Sequence, residues 1–181
     1  GGIGGAKLAL GLDRLLPPGA LTVLVNTGDD FTHLGLRISP DLDTVLYTLA
    51  DVVNPETGWG WRDETWQFME ALDRLGGEVW FRLGDRDLAT HVERTRRLAA
   101  GETPSAVAAD FCARLAVASS LLPMSDTPVA TRLRTATGWL DFQDYFVRLR
   151  AAPVVSALDY AGAGQAAPNP ALFALLADPE L

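Results

Sequence analysis

The run Leu21-Thr22-Val23-Leu24-Val25, followed at once by Asn26-Thr27-Gly28-Asp29-Asp30, constrains the fold of this chain more than any other segment. A short, continuous apolar run of this kind predicts a strand buried on both faces, as in a parallel sheet. The glycine and two aspartates after it then fall at the carboxyl edge of that sheet, where α/β folds bind ligands. Two more carboxylates, Asp41 and Asp43, follow the helix start Ser39-Pro40. Four hard oxygen donors around one strand end and one helix start predict a site for Mg²⁺ that also touches substrate phosphates, and hence metal-assisted phosphoryl transfer. Each half has a plainer explanation as well. Gly-Asp-Asp is ordinary turn chemistry, and the helix dipole favours Asp in any first turn. Residues two apart on a helix point roughly 200° away from each other, so if both are helical only one of Asp41 and Asp43 can face a metal.

The 181 residues suffice for one full domain core with room for a small subdomain. A net charge of −8 and a pI near 4.6 argue against nucleic acid as a partner, because phosphate neutralisation needs a basic stripe. The single cysteine, Cys112, excludes an intrachain disulfide and reads as a buried, inert thiol. No apolar run reaches membrane-spanning length and no charged leader with a cleavage site opens the chain, so the expectation is a soluble, cytoplasmic protein with no membrane partner.

Along the chain, Gly1-Gly2-Ile3-Gly4-Gly5-Ala6-Lys7 leads into a helix-like run, 8–16, stopped by Pro17-Pro18-Gly19. A glycine loop that opens a helix can cradle phosphate on its free amides, but this spacing fits neither a Walker A box nor a complete dinucleotide fingerprint. The usual strand before such a loop is expected upstream. An extended segment at 34–38 and a helix over 41–50 follow. Helices are predicted at 63–75, 86–100 and 104–117, with a short strand Val79-Trp80-Phe81 between the first two. A hairpin (129–133 with 139–142), a strand over 154–160 and a helix over 170–176 complete the pattern. The fold class expected is α/β: a Rossmann-like three-layer sheet with a helical insertion, truncated at both ends. Residues 1–50 would form the first part of the core, 51–120 the insertion and 121–181 the return to the core.

Six ordered motifs then make the chain similar to a known family. Gly-Gly-Ile-Gly-Gly-Ala-Lys at 1–7, Asn-Thr-Gly-Asp-Asp at 26–30, Pro-Asp-Leu-Asp-Thr at 40–44, Gly-Trp-Gly-Trp-Arg-Asp-Glu-Thr-Trp at 58–66, Leu-Gly-Asp-Arg-Asp-Leu-Ala-Thr-His at 83–91 and Phe-Gln-Asp-Tyr-Phe-Val-Arg at 142–148 resemble the 2-phospho-L-lactate transferase family. The resemblance covers essentially the whole chain, although members continue into further α/β sheet that supplies some nucleotide contacts. It implies transfer of a phospholactyl-type group, from phospholactate or phosphoenolpyruvate, out of a guanosine diphosphate-activated donor. The acceptor would be the terminal ribityl hydroxyl of the deazaflavin FO, with release of GMP and use of Mg²⁺, in coenzyme F-420 biosynthesis.

On that footing Asp29, Asp30, Asp41 and Asp43 are candidate metal ligands, and Asp29, Asp30 and Asp43 candidate catalytic groups, one of them taking the hydroxyl proton. Substrate contacts are expected from Gly2, Gly4, Gly5, Lys7, Thr27, His33, Arg86 and His91. Arg86 would suit a phosphate by its planar fork, while Asp85 may equally cap its own helix. Trp59, Trp61 and Trp66 could stack on the deazaflavin but read chiefly as core, Arg94, Arg96 and Arg97 as a solvated helix face, and 142–148 as an amphipathic helix start. A homodimer is compatible with all of this. The rival reading is a non-catalytic sugar-nucleotide-binding regulator resembling the gluconeogenesis-factor group, which shares the glycine loop and Asp-Asp turn but lacks the Pro-Asp-Leu-Asp-Thr wording.

Overall fold

The structure, a computed structural model, describes residues 1–177. In chain order these form α1 (Gly2–Asp13), β1 (Thr22–Val25), β2 (Phe31–His33), β3 (Leu36–Ile38), α2 (Pro40–Leu49), α3 (Gln67–Arg74), α4 (Asp85–Ala99), α5 (Pro104–Arg114), β4 (Ser120–Pro123), β5 (Ala130–Thr135), β6 (Gly138–Asp141), a π-helical turn (Asp144–Arg148), β7 (Ala157–Ala161) and α6 (Pro170–Leu176). The class is mixed α/β, as the sequence predicts.

β1 forms where the apolar run places it and pairs in parallel with β4, Thr22 opposite Ser120 and Val25 opposite Pro123, but it is not the fully buried strand expected, since Val25 alone of its residues is buried and Leu24 is 42% exposed. β4 escapes sequence reading because it is four residues long and closes on a proline, which cannot donate to a ladder. The predicted extended segment at 34–38 is instead a hairpin: β2 and β3 pair antiparallel through a turn at Leu34-Gly35, so the strand signal is split in two.

The first glycines are also placed differently. Gly2, Gly4 and Gly5 lie inside the opening turns of α1 and not in a loop ahead of it. Gly1 abuts Asp41 so closely that a Cβ there would stand 2.0 Å from a carboxylate oxygen, so no other residue fits without moving Asp41.

α2 is the centre of the core. Every residue from Asp41 to Thr48 is buried. Leu42, Val45 and Leu46 pack with Ala6 and Ala9 of α1, Val25 of β1, Val107 and Phe111 of α5, and Leu121 of β4. Each large aliphatic side chain in that cluster contributes about 1.5–3 kcal/mol by leaving water. A helix so deeply placed must satisfy its polar groups internally. Thr44 and Thr48 do so by donating to the carbonyls of Pro40 and Thr44, at 2.8 and 2.7 Å.

A second cluster joins Ile38, Met69, Leu83 and Leu88 with Phe31, Trp66 and Phe81. Here α3 starts later than the predicted 63–75, because the residues before it serve another purpose. Glu64 accepts from the backbone N–H of Arg86 and Asp87, at 2.9 and 2.8 Å, capping α4. Asp85 returns the favour to α3, accepting from Gln67 and Phe68 N–H at 3.0 Å each and from the Thr65 hydroxyl at 2.5 Å. Asp85 therefore caps the neighbouring helix and not its own. Gly84 sits in the contact, since a Cβ there would meet the Glu64 carboxyl carbon at 2.2 Å. Val79 and Phe81 pack against this second cluster, and the segment does not pair as a strand.

β5, β6 and β7 form an antiparallel sheet in the order β6-β5-β7, with Leu133 opposite both Leu140 and Leu158. β7 begins at Ala157, later than the predicted 154, and α6 matches the predicted 170–176. The amphipathic helix start at 142–148 is a π-helical turn. Among the described residues no helix is long and apolar enough to cross a membrane.

Candidate functional site

The β1–β2 loop is stitched to the start of α2 by two hydrogen bonds. The Asn26 amide accepts from Gly28 N–H at 3.0 Å and donates to Asp41 at 2.9 Å. From the other side, the Ser39 hydroxyl donates to Asp30 at 2.8 Å. This fixes which of the four acidic residues share a space. Asp29, Asp41 and Asp43 border one cavity of about 640 Å³, a volume typical of small-molecule sites. Asp30 turns the opposite way, onto a second cleft of about 260 Å³ shared with Thr27, Arg37 and Asp126.

Electrostatics separates the four further. Burial, and next the charge of Asp41, push the Asp29 carboxyl above its ordinary range. Burial pushes Asp30 up to about 7, against the Ser39 hydrogen bond and the charge of Arg94, which pull it down. Asp43 has gained a strong partner: both its oxygens accept from Arg94, the second bond spanning 3.0 Å, and both side chains are buried. Arg94, expected on a solvated face, is thus 4% exposed and belongs to the core, because α4 turns that face onto α2. Asp43, expected as a ligand and catalytic group, is committed to a buried ion pair. As the spacing along α2 requires, Asp41 and Asp43 take entirely different partners.

The pair sits in a larger polar network. Arg94 also stands 3.3 Å from Nδ1 of His91, whose other ring nitrogen, Nε2, lies 3.2 Å from Asp87. Nε2 and Asp87 are close but not aligned into a formed hydrogen bond. Tyr47 donates to the other Asp87 oxygen at 2.7 Å. Burial, then the charges of Asp43 and Asp87, drive the Tyr47 hydroxyl well above its ordinary range, so it stays neutral and donates. Asp43, Asp87 and His91 offer three potential metal-binding atoms within 4.8 Å of one another. A cation there would have to displace Arg94 from Asp43, so the cluster reads better as a polar, hydrogen-bonded floor beneath the cavity.

The donor set at Asp29 and Asp41 fits a hard divalent cation on firmer grounds. Two carboxylates oppose each other's charge there, and the Asn26 amide is the sole side-chain hydrogen bond to Asp41 among the described residues.

The remaining expected residues divide cleanly. Gly2 and His91 border the main cavity. Thr27 borders the second cleft, and Gly5 a shallow groove along β1. Gly4 and Lys7 are exposed and border none of these spaces. Arg86 donates to the Arg62 carbonyl at 2.9 Å, bracing the capped helix start and not the cavity. His33 is buried among Phe31, Trp80 and Phe81, where burial lowers its pKa below the usual value; it supports the wall from behind. Trp61 and Trp66 pack into the two clusters, whereas Trp59 borders the cavity.

Sequence reading missed Asp87, Trp80, Phe81, Phe142, Gln143 and Phe146 as cavity residues. Asp87 and His91 stand four apart on α4, one helical turn, which is the signal that would have linked them.

A model of the family described as 2-phospho-L-lactate transferase CofD matches residues 1–181. A phosphoenolpyruvate transferase from Streptomyces griseus is 47% identical over 178 residues, covering 96% of this chain and 56% of that protein. One from Streptomyces avermitilis is 45% identical over 186 residues, covering 100% and 58%, and one from Mycobacterium leprae is 39% identical over 203 residues, covering 100% and 61%. The chain thus spans less than two thirds of the length of these curated relatives. Among solved structures, a protein of Bacillus halodurans, BH3568 of the UPF0052 family, is similar in fold with a TM-score of 0.58 at 17% identity, covering 96% of this chain and 52% of that one. With one family's ordered motifs, a family match end to end and relatives well above 30% identity, the chain belongs to the 2-phospho-L-lactate transferase CofD family.

Proposed function

We propose that this protein transfers a phosphoenolpyruvate- or phospholactate-derived group from a guanosine diphosphate-activated donor to the terminal hydroxyl of FO, releasing GMP with the help of Mg²⁺. The observation that carries the reading is the Asp29–Asp41 pair, set beside the first turn of α1 on the wall of a cavity that Trp59, Trp80, Phe81, Phe142 and Phe146 also line. The unsatisfied N–H groups of that first turn attract phosphate, yet the two carboxylates repel it. Both can face one diphosphate only with a cation between them. The aromatic wall suits a flat acceptor.

The chemistry balances with these groups alone. The acceptor hydroxyl oxygen forms a bond to the phosphorus bearing the small acid, the bridging P–O bond breaks, and its electron pair leaves with GMP. The hydroxyl proton passes to a wall carboxylate, Asp29 being the candidate because burial and Asp41 raise its proton affinity. Mg²⁺, when bound, neutralises the phosphoryl oxygens and the developing charge on the leaving group. Burial works to raise the Asp87 carboxyl, but His91 and Tyr47 beside it hold it below its ordinary range, which keeps the cavity floor polar. The names of the relatives favour phosphoenolpyruvate over phospholactate as the donor acid.

Incubation with FO, Mg²⁺ and each guanylylated donor should release GMP and yield a deazaflavin phosphodiester. No GMP and no new product with either donor refutes the reading. Asp29→Asn and Asp41→Asn should each lower turnover by about 10²-fold or more while shifting stability by less than about 1 kcal/mol.

A further inference from the structure

Asn26 joins two segments that the chain keeps fifteen residues apart. Its amide oxygen accepts from Gly28 N–H at 3.0 Å, closing a tight turn just past β1, and its NH₂ donates to Asp41 Oδ2 at 2.9 Å in the first turn of α2. The same side chain acts on Asp29. Burial and the charge of Asp41 raise the Asp29 carboxyl, and a hydrogen bond from the Asn26 side chain pulls against them.

The surroundings leave this amide little room to go elsewhere. A Cβ on Gly28 would stand 3.1 Å from Asn26 Oδ1 and 3.0 Å from Thr131 Oγ1, and one on Gly1 would stand 2.0 Å from Asp41 Oδ2, the oxygen that Asn26 engages. Gly28 is pinned in turn, its carbonyl accepting from Thr131 N–H at 2.6 Å. Asp29 and Asp41 border one cavity and repel each other, and Asp41 is only 8% exposed. A carboxylate free to turn would relieve that repulsion by rotating away. With Oδ2 held, Oδ1 stays on the side of Gly2, where a Cβ would lie 3.6 Å from it, and Gly2 borders the same cavity.

We propose that Asn26 is a positioning residue that holds Asp29 and Asp41 at the spacing a divalent cation needs, so that the site is organised before the cation arrives. This rests on the reading of those two carboxylates as ligands of Mg²⁺. Asn26 acts from behind them and does not touch the cation, because its oxygen is engaged by Gly28 N–H and its nitrogen can only donate. Removing a group that orients metal ligands in this way costs about 10–100-fold in metal affinity.

Mn²⁺ suits the same oxygen donors as Mg²⁺, and its electron paramagnetic resonance signal reports binding without turnover. Its affinity is to be measured, with and without GDP, in the wild type, Asn26→Ser, Asn26→Ala, Asp29→Asn and Asp41→Asn, with a thermal melt of each. Serine keeps an oxygen able to accept from Gly28 N–H, and so keeps the turn, but is too short to reach Asp41. Both Asn26 variants should bind Mn²⁺ at least about tenfold more weakly, with Asn26→Ser melting close to the wild type. A residue needed only for the turn would leave Mn²⁺ affinity in Asn26→Ser untouched. That result overturns the proposal, as does a loss confined to Asn26→Ala and matched by its melting. Wild-type protein that binds no Mn²⁺ in either condition, or Asp29→Asn and Asp41→Asn proteins that bind it as tightly as wild type, overturn the cation reading itself, and the proposal with it.

Discussion

Replacing Arg94 by Met removes the positive member of an ion pair whose side chains are only 5% and 6% exposed. The variant loses both bonds to Asp43, the 3.4 Å bond to the Arg37 carbonyl and the contact with His91 Nδ1. What remains is a buried Asp43 carboxylate, near Asp30 and Asp87, that has lost its ion-pair partner. Breaking one member of a buried pair costs about 3–5 kcal/mol, most of it from the stranded charge. A domain of this size has roughly 5–15 kcal/mol of stability, so the variant should still fold but melt about 6–20 °C lower. Asp43→Asn should cost a comparable amount by stranding Arg94. The double variant should recover at least about 2 kcal/mol of the summed losses, because neither charge is then left alone. Urea unfolding followed by tryptophan fluorescence measures all three. Losses below about 1 kcal/mol, or strictly additive ones, would refute the assignment of Asp43 to Arg94. A stable Asp43→Asn protein that cannot turn over would return Asp43 to the catalytic machinery.

Asp30 gives a pH dependence of definite sign. Its folded pKa, about 7, lies above the ordinary 3.8, so between those values the folded state holds a proton that the unfolded state has lost. Its contribution is therefore fully present below about 3.8 and is lost as pH rises toward 7, at a slope under about 1.4 kcal/mol per pH unit. Asp30→Asn should thus gain stability relative to wild type as pH climbs through that window and then level off, as read by thermal melts at several pH values; a variant that loses stability relative to wild type over that window contradicts the raised affinity of Asp30 for its proton. Glu64→Ala removes the cap from α4 and should cost about 1 kcal/mol. The same change should raise amide exchange at Arg86 and Asp87, and exchange that stays slow there would show that the cap contributes nothing.

Much of this was legible before any coordinates. Leu21–Val25 reads as a strand because its pattern needs no partner to be recognised, and Pro170 marks α6 because proline suits a first helical turn. The Asp pair on α2 was legible too, and the two take different partners, Asn26 and Arg94, although both border the one cavity where the spacing allowed only one to face a metal. What the sequence hid is whatever depends on contacts between distant segments. Arg94 looks like its solvated neighbours Arg96 and Arg97 until α4 is laid against α2. Asp85 looks like a cap for α4 until Thr65–Phe68 is brought beside it. Gln143 carries no local signal, because bordering a cavity depends on which distant segments fold opposite it. The π-helical turn is likewise invisible to a search for a 3.6-residue period.

The burial of α2 from Asp41 to Thr48 also bears on how the cavity can respond to a ligand. A helix packed on every side but the one that walls the cavity has little slack, so the carboxylate wall is a fixed reference against which the rest must adjust. Adaptation to acceptors of different shape falls to the opposite rim, where Trp59 is 45% and Phe146 58% exposed. Motion on binding should therefore be one-sided, with the acidic wall still and the aromatic rim closing onto it. Changes of donor acid and changes of acceptor ring would then be accommodated by different parts of the protein, and can vary independently.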